Sequence, residues 1–206
     1  MTEYKIKSIR KINKTHIKYD ISIEKNHNYF ANNILAHNSN FAACFDGDRL
    51  WVKSRNWFKR EHEEDMWWFG ANHAKLKEKL QKYPFLVFYG ELTGLVQKFP
   101  YNSFVENGER CPVVNFFDLY DAKNKVWMSY EDRIRIFKEL DLQMAPELYV
   151  GKFNKELIYS LAEGNSNLNS SHIKEGVVID VISESPFRRC ERKYKLIGCD
   201  YNLQKK

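Results

Sequence analysis

The 206-residue sequence has few cysteines, and none is placed to work as a pair. Cys44, Cys111, Cys190 and Cys199 contain no CxxC spacing and the nearest two are nine positions apart, which excludes a zinc ribbon and gives no disulfide framework. A reducing, cytoplasmic setting is the expectation. Long apolar runs are missing as well. Mean hydropathy is -0.61, 29% of residues are charged, and no run approaches the roughly 18 residues of a membrane-spanning helix. The opening MTEYKIKSIRKINK has no apolar stretch, so it does not read as a secretory signal. No repeat or low-complexity tract is visible, and the only loop-like polar stretch is Glu163 to Ser171.

The hydrophobic content of 43% suffices for one ordinary domain, or one catalytic domain with a short accessory segment. The net charge of +6 is unevenly placed: residues 1–38 hold seven Lys/Arg against three Asp/Glu, the remainder 26 against 24. A globally basic nucleic-acid binder is therefore not indicated, and any polyanion site must be a local patch made by folding. Aromatic residues at 15% argue for a packed sheet with aromatic platforms.

Residues 1–38 alternate short β-type runs (Tyr4 to Ile9, His16 to Ile23, Tyr29 to Phe30) with polar turns, an all-β pattern. Beyond Phe41 the pattern becomes α+β. Strands are expected at Leu50 to Lys53, Phe85 to Tyr89, Val113 to Leu119 and Gly176 to Ile182. Helices are expected near His73 to Lys82, Tyr130 to Leu140 and Asn154 to Glu163, with Ser129 capping the middle one. Trp57, Trp67 and Trp68 read as packing residues rather than base platforms.

Tyr19 to Ser39, YDISIEKNHNYFANNILAHNS, has an ordered chemistry. A side-chain amide such as that of Asn38 can attack its own following carbonyl, forming a succinimide and breaking the chain. His37 is suited to polarise that carbonyl or protonate the leaving nitrogen, and His27 to act as a second acid or base. Ser39 would supply the hydroxyl that accepts an upstream acyl group, helped by an effective molarity on the order of 10⁵ M when held in place. The order of these blocks resembles the C-terminal end of inteins (Hint type). The resemblance implies Asn38 as the cyclising residue, His37, His27 and Ser39 as its partners in catalysis, and Asp20 as a further participant. Splicing itself needs no cofactor. No first nucleophile or Thr/His block precedes Tyr19, so residues 1–38 are expected to be the C-terminal fragment of a split intein. Its N-terminal fragment would then lie on a separate chain, met with help from the basic charge. A contiguous intein whose upstream part was lost is the alternative.

Residues 39–206 carry a second ordered series. Ser39-Asn40-Phe41, Ser54-Arg55-Asn56, Gly90-Glu91, Phe116-Phe117-Asp118, Glu175-Gly176 and Lys193-Tyr194-Lys195 follow one another, the last beginning 18 residues after Glu175. This series resembles the covalent nucleotidyltransferases, most closely RNA ligases of the phage T4 RNA ligase 2 type. The resemblance implies an α+β, ATP-grasp-like ligase adenylation domain with antiparallel sheets, using ATP and Mg2+ to join 5′-phosphate to 3′-hydroxyl RNA ends. It implies nucleotide-binding roles for Asn40, Arg55 (phosphate or terminal nucleotide), Glu91 (ribose), Phe117 (adenine stacking, with Phe116 the other candidate), Lys193 and Lys195 (α-phosphate), and a metal-binding role for Glu175. Arg188, Arg189 and Arg192 are the expected polyanion patch.

The family's nucleophile, a lysine in Lys-x-x-Gly before Ser-Asn-Phe, is absent: Ala36-His37-Asn38 stands in its place. Joining an upstream Lys-x-x-Gly to Ser39 would rebuild the motif at the same bond that the intein resemblance marks for cutting. The expected partners are therefore an N-terminal intein/ligase precursor and, after splicing, RNA or a nicked duplex, with no membrane. Eleven residues follow Lys195, so the family's additional C-terminal domain is not expected within this stretch. A DNA ligase, a capping-type nucleotidyltransferase and an inert remnant remain open at this point.

Overall fold

The computed structural model describes residues 9–11, 19–21, 29–31, 34–36, 40–94, 104–106, 109–168, 170–181 and 193–203. In the first segment the described residues form two antiparallel pairs. β1 (Ile9–Lys11) pairs with β2 (Tyr19–Ile21), placing Arg10 opposite Asp20, and β3 (Tyr29–Ala31) pairs with β4 (Ile34–Ala36). His27, His37, Asn38 and Ser39 lie outside the described residues, as do Arg188, Arg189 and Arg192.

The centre of the molecule is an antiparallel five-stranded sheet. It is built from β5 (Asn40–Phe45), β6 (Leu50–Lys53), β7 (Leu86–Thr93), β10 (Val113–Asp121) and β11 (Val126–Trp127), in the spatial order β11-β10-β7-β5-β6. A short pair, β8 (Phe104–Glu106) with β9 (Glu109–Cys111), precedes β10. Alternation along each strand sends one set of side chains to a core. Phe41, Phe88, Phe116 and Phe137 are at most 1% exposed, and Phe116 meets Phe41 and Phe88 edge-on at 6.0 and 6.4 Å. Each such ring contributes roughly 1.5–3 kcal/mol by leaving water. The opposite set, which includes Asn40, Ala42, Tyr89 and Glu91, stays on the other face.

Three helices cover the core face. α1 (Met66–His73) is capped by the Asp65 carboxylate, which accepts from the backbone of Trp67 and Trp68. α2 (Leu76–Leu80) follows, and α3 (Tyr130–Glu139) begins at Ser129, whose hydroxyl accepts from the Asp132 N–H at 3.1 Å. The expected helix over His73 to Lys82 is thus divided. Lys75 adopts a left-handed φ of 53° and breaks it, and a full helix lies upstream where none was expected. MWWFGANH buries Trp67, Trp68, Gly70 and Ala71, so it shows no polar stripe at helical spacing to mark it in sequence.

A second, smaller unit holds α4 (Lys155–Ala162), β12 (Gly176–Asp180), β13 (Lys193–Ile197) and α5 (Cys199–Leu203). β12 and β13 pair antiparallel in the register Val178 to Lys195 and Asp180 to Lys193. Glu163, at the end of α4, accepts from the backbone N–H groups of Cys199 and Asp200, which tethers α5 and holds the Glu163 carboxyl below its ordinary range. The described part of residues 39–206 is therefore an antiparallel-sheet α+β structure, as expected. Among the described residues no helix is long and apolar enough to cross a membrane.

Candidate nucleotide-binding site

The open face of the sheet carries a cleft of about 340 Å³ lined by Asn40, Ala42, Lys53, Arg55 and Tyr89. Strand register explains the set. Ala42 lies opposite Lys53 on one side and Tyr89 on the other, and Asn40 lies opposite Glu91, which in turn faces Asn115 across β7 and β10. Two of the expected nucleotide ligands, Asn40 and Arg55, therefore share one cleft, and Glu91 stands beside it. Asn115 is fixed by donating to Thr93 Oγ1 at 2.9 Å and accepting from Gln143 at 3.0 Å, which stiffens that edge of the row.

Gly90 sets the spacing of the row. A Cβ there would come within 2.8 Å of Val114 Cγ1 and 2.9 Å of the Asn115 carbonyl oxygen, so β7 and β10 approach this closely only because the position is glycine. The Gly-Glu dipeptide thus has a packing half and a chemical half.

Between Phe116 and Asp118 the β10 to β7 register slips by one residue, and Phe117 is the extra one. Such a bulge takes a side chain out of strict alternation. Phe116 is 1% exposed and belongs to the core, whereas Phe117 is half-buried, outside the core, with the Lys193 ammonium 6.0 Å above its ring. Of the two stacking candidates, only Phe117 is placed to meet a ligand.

Lys193 is held by a four-charge network that ties the smaller unit to the sheet. Asp118 on β10 is fully buried. Arg133 of α3, 5% exposed, reaches Asp118 at 3.2 Å and Asp180 at 2.7 Å, while Lys193 reaches Asp180 at 2.9 Å and Asp118 at 3.4 Å. Two carboxylates and two cations balance, which is the condition for burying such groups. Lys195, two residues on, is exposed and pairs with Glu175 at 2.8 Å. Gly176, beside Glu175, has a φ of 148°, and a Cβ there would collide with the Leu196 carbonyl at 2.0 Å. Glycine is therefore required for the strand pairing that brings Glu175 to Lys195.

Arg133 and Asp180 were not among the residues singled out by sequence, and neither were Lys53 and Tyr89. Arg133 is one charge among several on an amphipathic helix, and only its burial distinguishes it. The packing role expected for the three tryptophans holds for Trp67 and Trp68, 8% and 5% exposed, but not for Trp57, which is 64% exposed at the tip of a surface turn.

Among the described residues no three His, Cys, Asp or Glu side chains gather to hold a metal ion. Glu175, the carboxylate expected to hold a metal, pairs with Lys195 at 2.8 Å.

A protein-family model described as RNA ligase matches residues 36–197. The chain belongs to the RNA ligase family. Solved structures of a Naegleria gruberi RNA ligase share its fold. The form with PPi is 24% identical with a TM-score of 0.68, covering 81% of this chain and 48% of that one. A substituted form with ATP and Mn is 24% identical with a TM-score of 0.67, covering 83% and 50%. Another with AMP and Mn is 22% identical with a TM-score of 0.67, again covering 83% and 50%. This family member thus spans about half the length of those ligases. No curated protein matches the sequence.

Proposed function

We propose that residues 39–206 are the nucleotide-binding part of an ATP-dependent RNA ligase of the phage T4 RNA ligase 2 type, sealing 5′-phosphate to 3′-hydroxyl ends. Its missing lysine would arrive by trans-splicing across Asn38 and Ser39. The observation that carries the ligase reading is the arrangement of motif residues far apart in sequence. Asn40 and Glu91 face each other in register beside Arg55, and Lys193 is held above Phe117. The splice reading rests on the sequence order His37-Asn38-Ser39 alone.

In this reading Phe117 offers its ring to adenine and Glu91 accepts a hydrogen bond from a ribose hydroxyl. Arg55 and Lys53 face the phosphates from the β6 side. Asp118 and Asp180 hold the Lys193 side chain toward the same region, from which it would stabilise negative charge on the α-phosphate. A divalent cation, Mg2+ or Mn2+, would neutralise the leaving pyrophosphate when bound. Glu175, which now pairs with Lys195, is the carboxylate available to it, and its engagement would leave the Lys195 ammonium to the phosphate.

Incubation with α-labelled ATP tests this. This chain alone is expected to form no covalent adduct, and the product bearing Lys-x-x-Gly joined to Ser39 is expected to form one. Arg55→Ala and Glu91→Ala should each lower that yield at least tenfold. Labelling of this chain alone would refute the missing-nucleophile reading, and an unlabelled joined product would refute the ligase reading.

A further inference from the structure

The edge of the sheet beside the cleft carries two exposed rings, Trp57 and Phe58, that the nucleotide site does not use. After β6 the chain turns back on itself: the Ser54 N–H donates to the Trp57 carbonyl at 2.9 Å, the Lys59 N–H donates to the Val52 carbonyl at 2.8 Å, and Phe58 bridges to Lys53. This turn exposes two large rings that a core would otherwise claim, Trp57 at 64% and Phe58 at 66%. Around them aromatic and cationic groups alternate. Arg49 lies 3.7 Å over the Trp51 ring, Trp51 meets Phe58 edge-on at 5.4 Å, and the Lys53 ammonium stands 5.7 Å over Phe58. Lys53 also lines the cleft with Arg55, so the ladder runs directly into the nucleotide site. Among the described residues neither Lys53 nor Arg55 is in a salt bridge. The acidic run Glu61, Glu63 and Glu64 begins only past Arg60.

We propose that Trp57 and Phe58 form a base-stacking platform for an unpaired RNA strand whose phosphates run along Arg49 and lead to the mouth of the cleft, where Lys53 and Arg55 meet the nucleotide. Exposed rings interleaved with cations are the arrangement by which single strands are held: the rings accept any base and the cations track the backbone. A protein partner would use the rings but not the cations, whereas an RNA strand uses both. The direction of the strand follows from continuity, since the end nearest Lys53 and Arg55 is the end delivered to the nucleotide. The RNA identity of the ligand rests on the ligase reading, whereas the platform rests on the geometry of the turn.

The test uses the whole chain and a fluorescent single-stranded oligouridylate, read by anisotropy, with ATP binding measured separately. Trp57→Ala and Phe58→Ala should each weaken oligonucleotide binding about tenfold, Trp57→Phe and Phe58→Tyr should retain most of it, and all four should bind ATP as the parent does. A blunt RNA duplex of equal length should bind more weakly, because its bases are not free to stack. Unchanged oligonucleotide affinity in both alanine variants would overturn the proposal, and so would a duplex bound as tightly as the single strand. Failure of the parent to bind ATP while the alanine variants still lose the oligonucleotide would count against the nucleotide site and for the platform. The rings are exposed and make no core contact, so circular dichroism should be the same in every variant.

Discussion

Arg133 sits between two carboxylates and is 5% exposed, so its charge is affordable only because Asp118 and Asp180 flank it. Arg133→Met would leave fully buried Asp118 with Lys193 alone, and removing one member of such a network costs about 3–5 kcal/mol. We expect that loss in urea melts, together with weaker ATP binding as Lys193 shifts, and a milder effect for Arg133→Lys. A melt unchanged by Arg133→Met would mean the network carries no stability. Nothing in YEDRIRIFKE distinguishes Arg133 from Arg135, which stays exposed and pairs with Asp132 on its own helix. The difference is burial, which one helix does not determine for itself. Asp46 shows the opposite case. Its carboxyl is lowered to about 2 by the Arg49 N–H, the Trp51 indole and the Asp48 N–H, all within five residues. It lies in the local sequence DGDRLW, and it steadies Trp51 at the start of the aromatic ladder.

Strands and helices differed in how far sequence revealed them. α3 and α4 were legible to within a residue or two because Ser129 and Asn154 announce their starts and polar faces mark their sides. α1 was missed because its apolar residues follow one another instead of recurring at helical spacing. β7 runs four residues past its expected end, through Gly90 and Glu91 to Thr93, because partners on both edges supply hydrogen bonds that local propensity does not. Gly90→Ala tests that pairing. The added methyl group meets a backbone carbonyl at 2.9 Å, so the strands must separate, at about 1–3 kcal/mol. Because Glu91 sits in the same row, ATP affinity should fall with stability. A fully stable Gly90→Ala protein with parental ATP affinity would show that the row tolerates a wider spacing.

At the scale of the molecule, the first segment is described only as two short antiparallel pairs, and its splicing chemistry remains a sequence-based proposal centred on Asn38. Peptide mass spectrometry on protein from its native source should find Lys-x-x-Gly joined to Ser39-Asn40-Phe41, and Asn38→Ala should abolish release of residues 1–38. Release that is indifferent to Asn38 would remove the splicing reading. The sequence by itself determined which residue types could do chemistry and their order. Strand and helix patterning are local properties, so the α+β class could be read directly, whereas Glu91, Glu175 and Lys193 were named only through the family resemblance and stand as proposals. Only the tertiary structure decided which of these meet. The β10 bulge separated Phe117 from Phe116, burial joined Arg133 to two carboxylates from distant strands, and the turn after β6 left Trp57 and Phe58 in water. The Arg133 network joins residues 15 and 47 positions apart, and solvent exposure is a property of the assembled surface that no short stretch of chain carries.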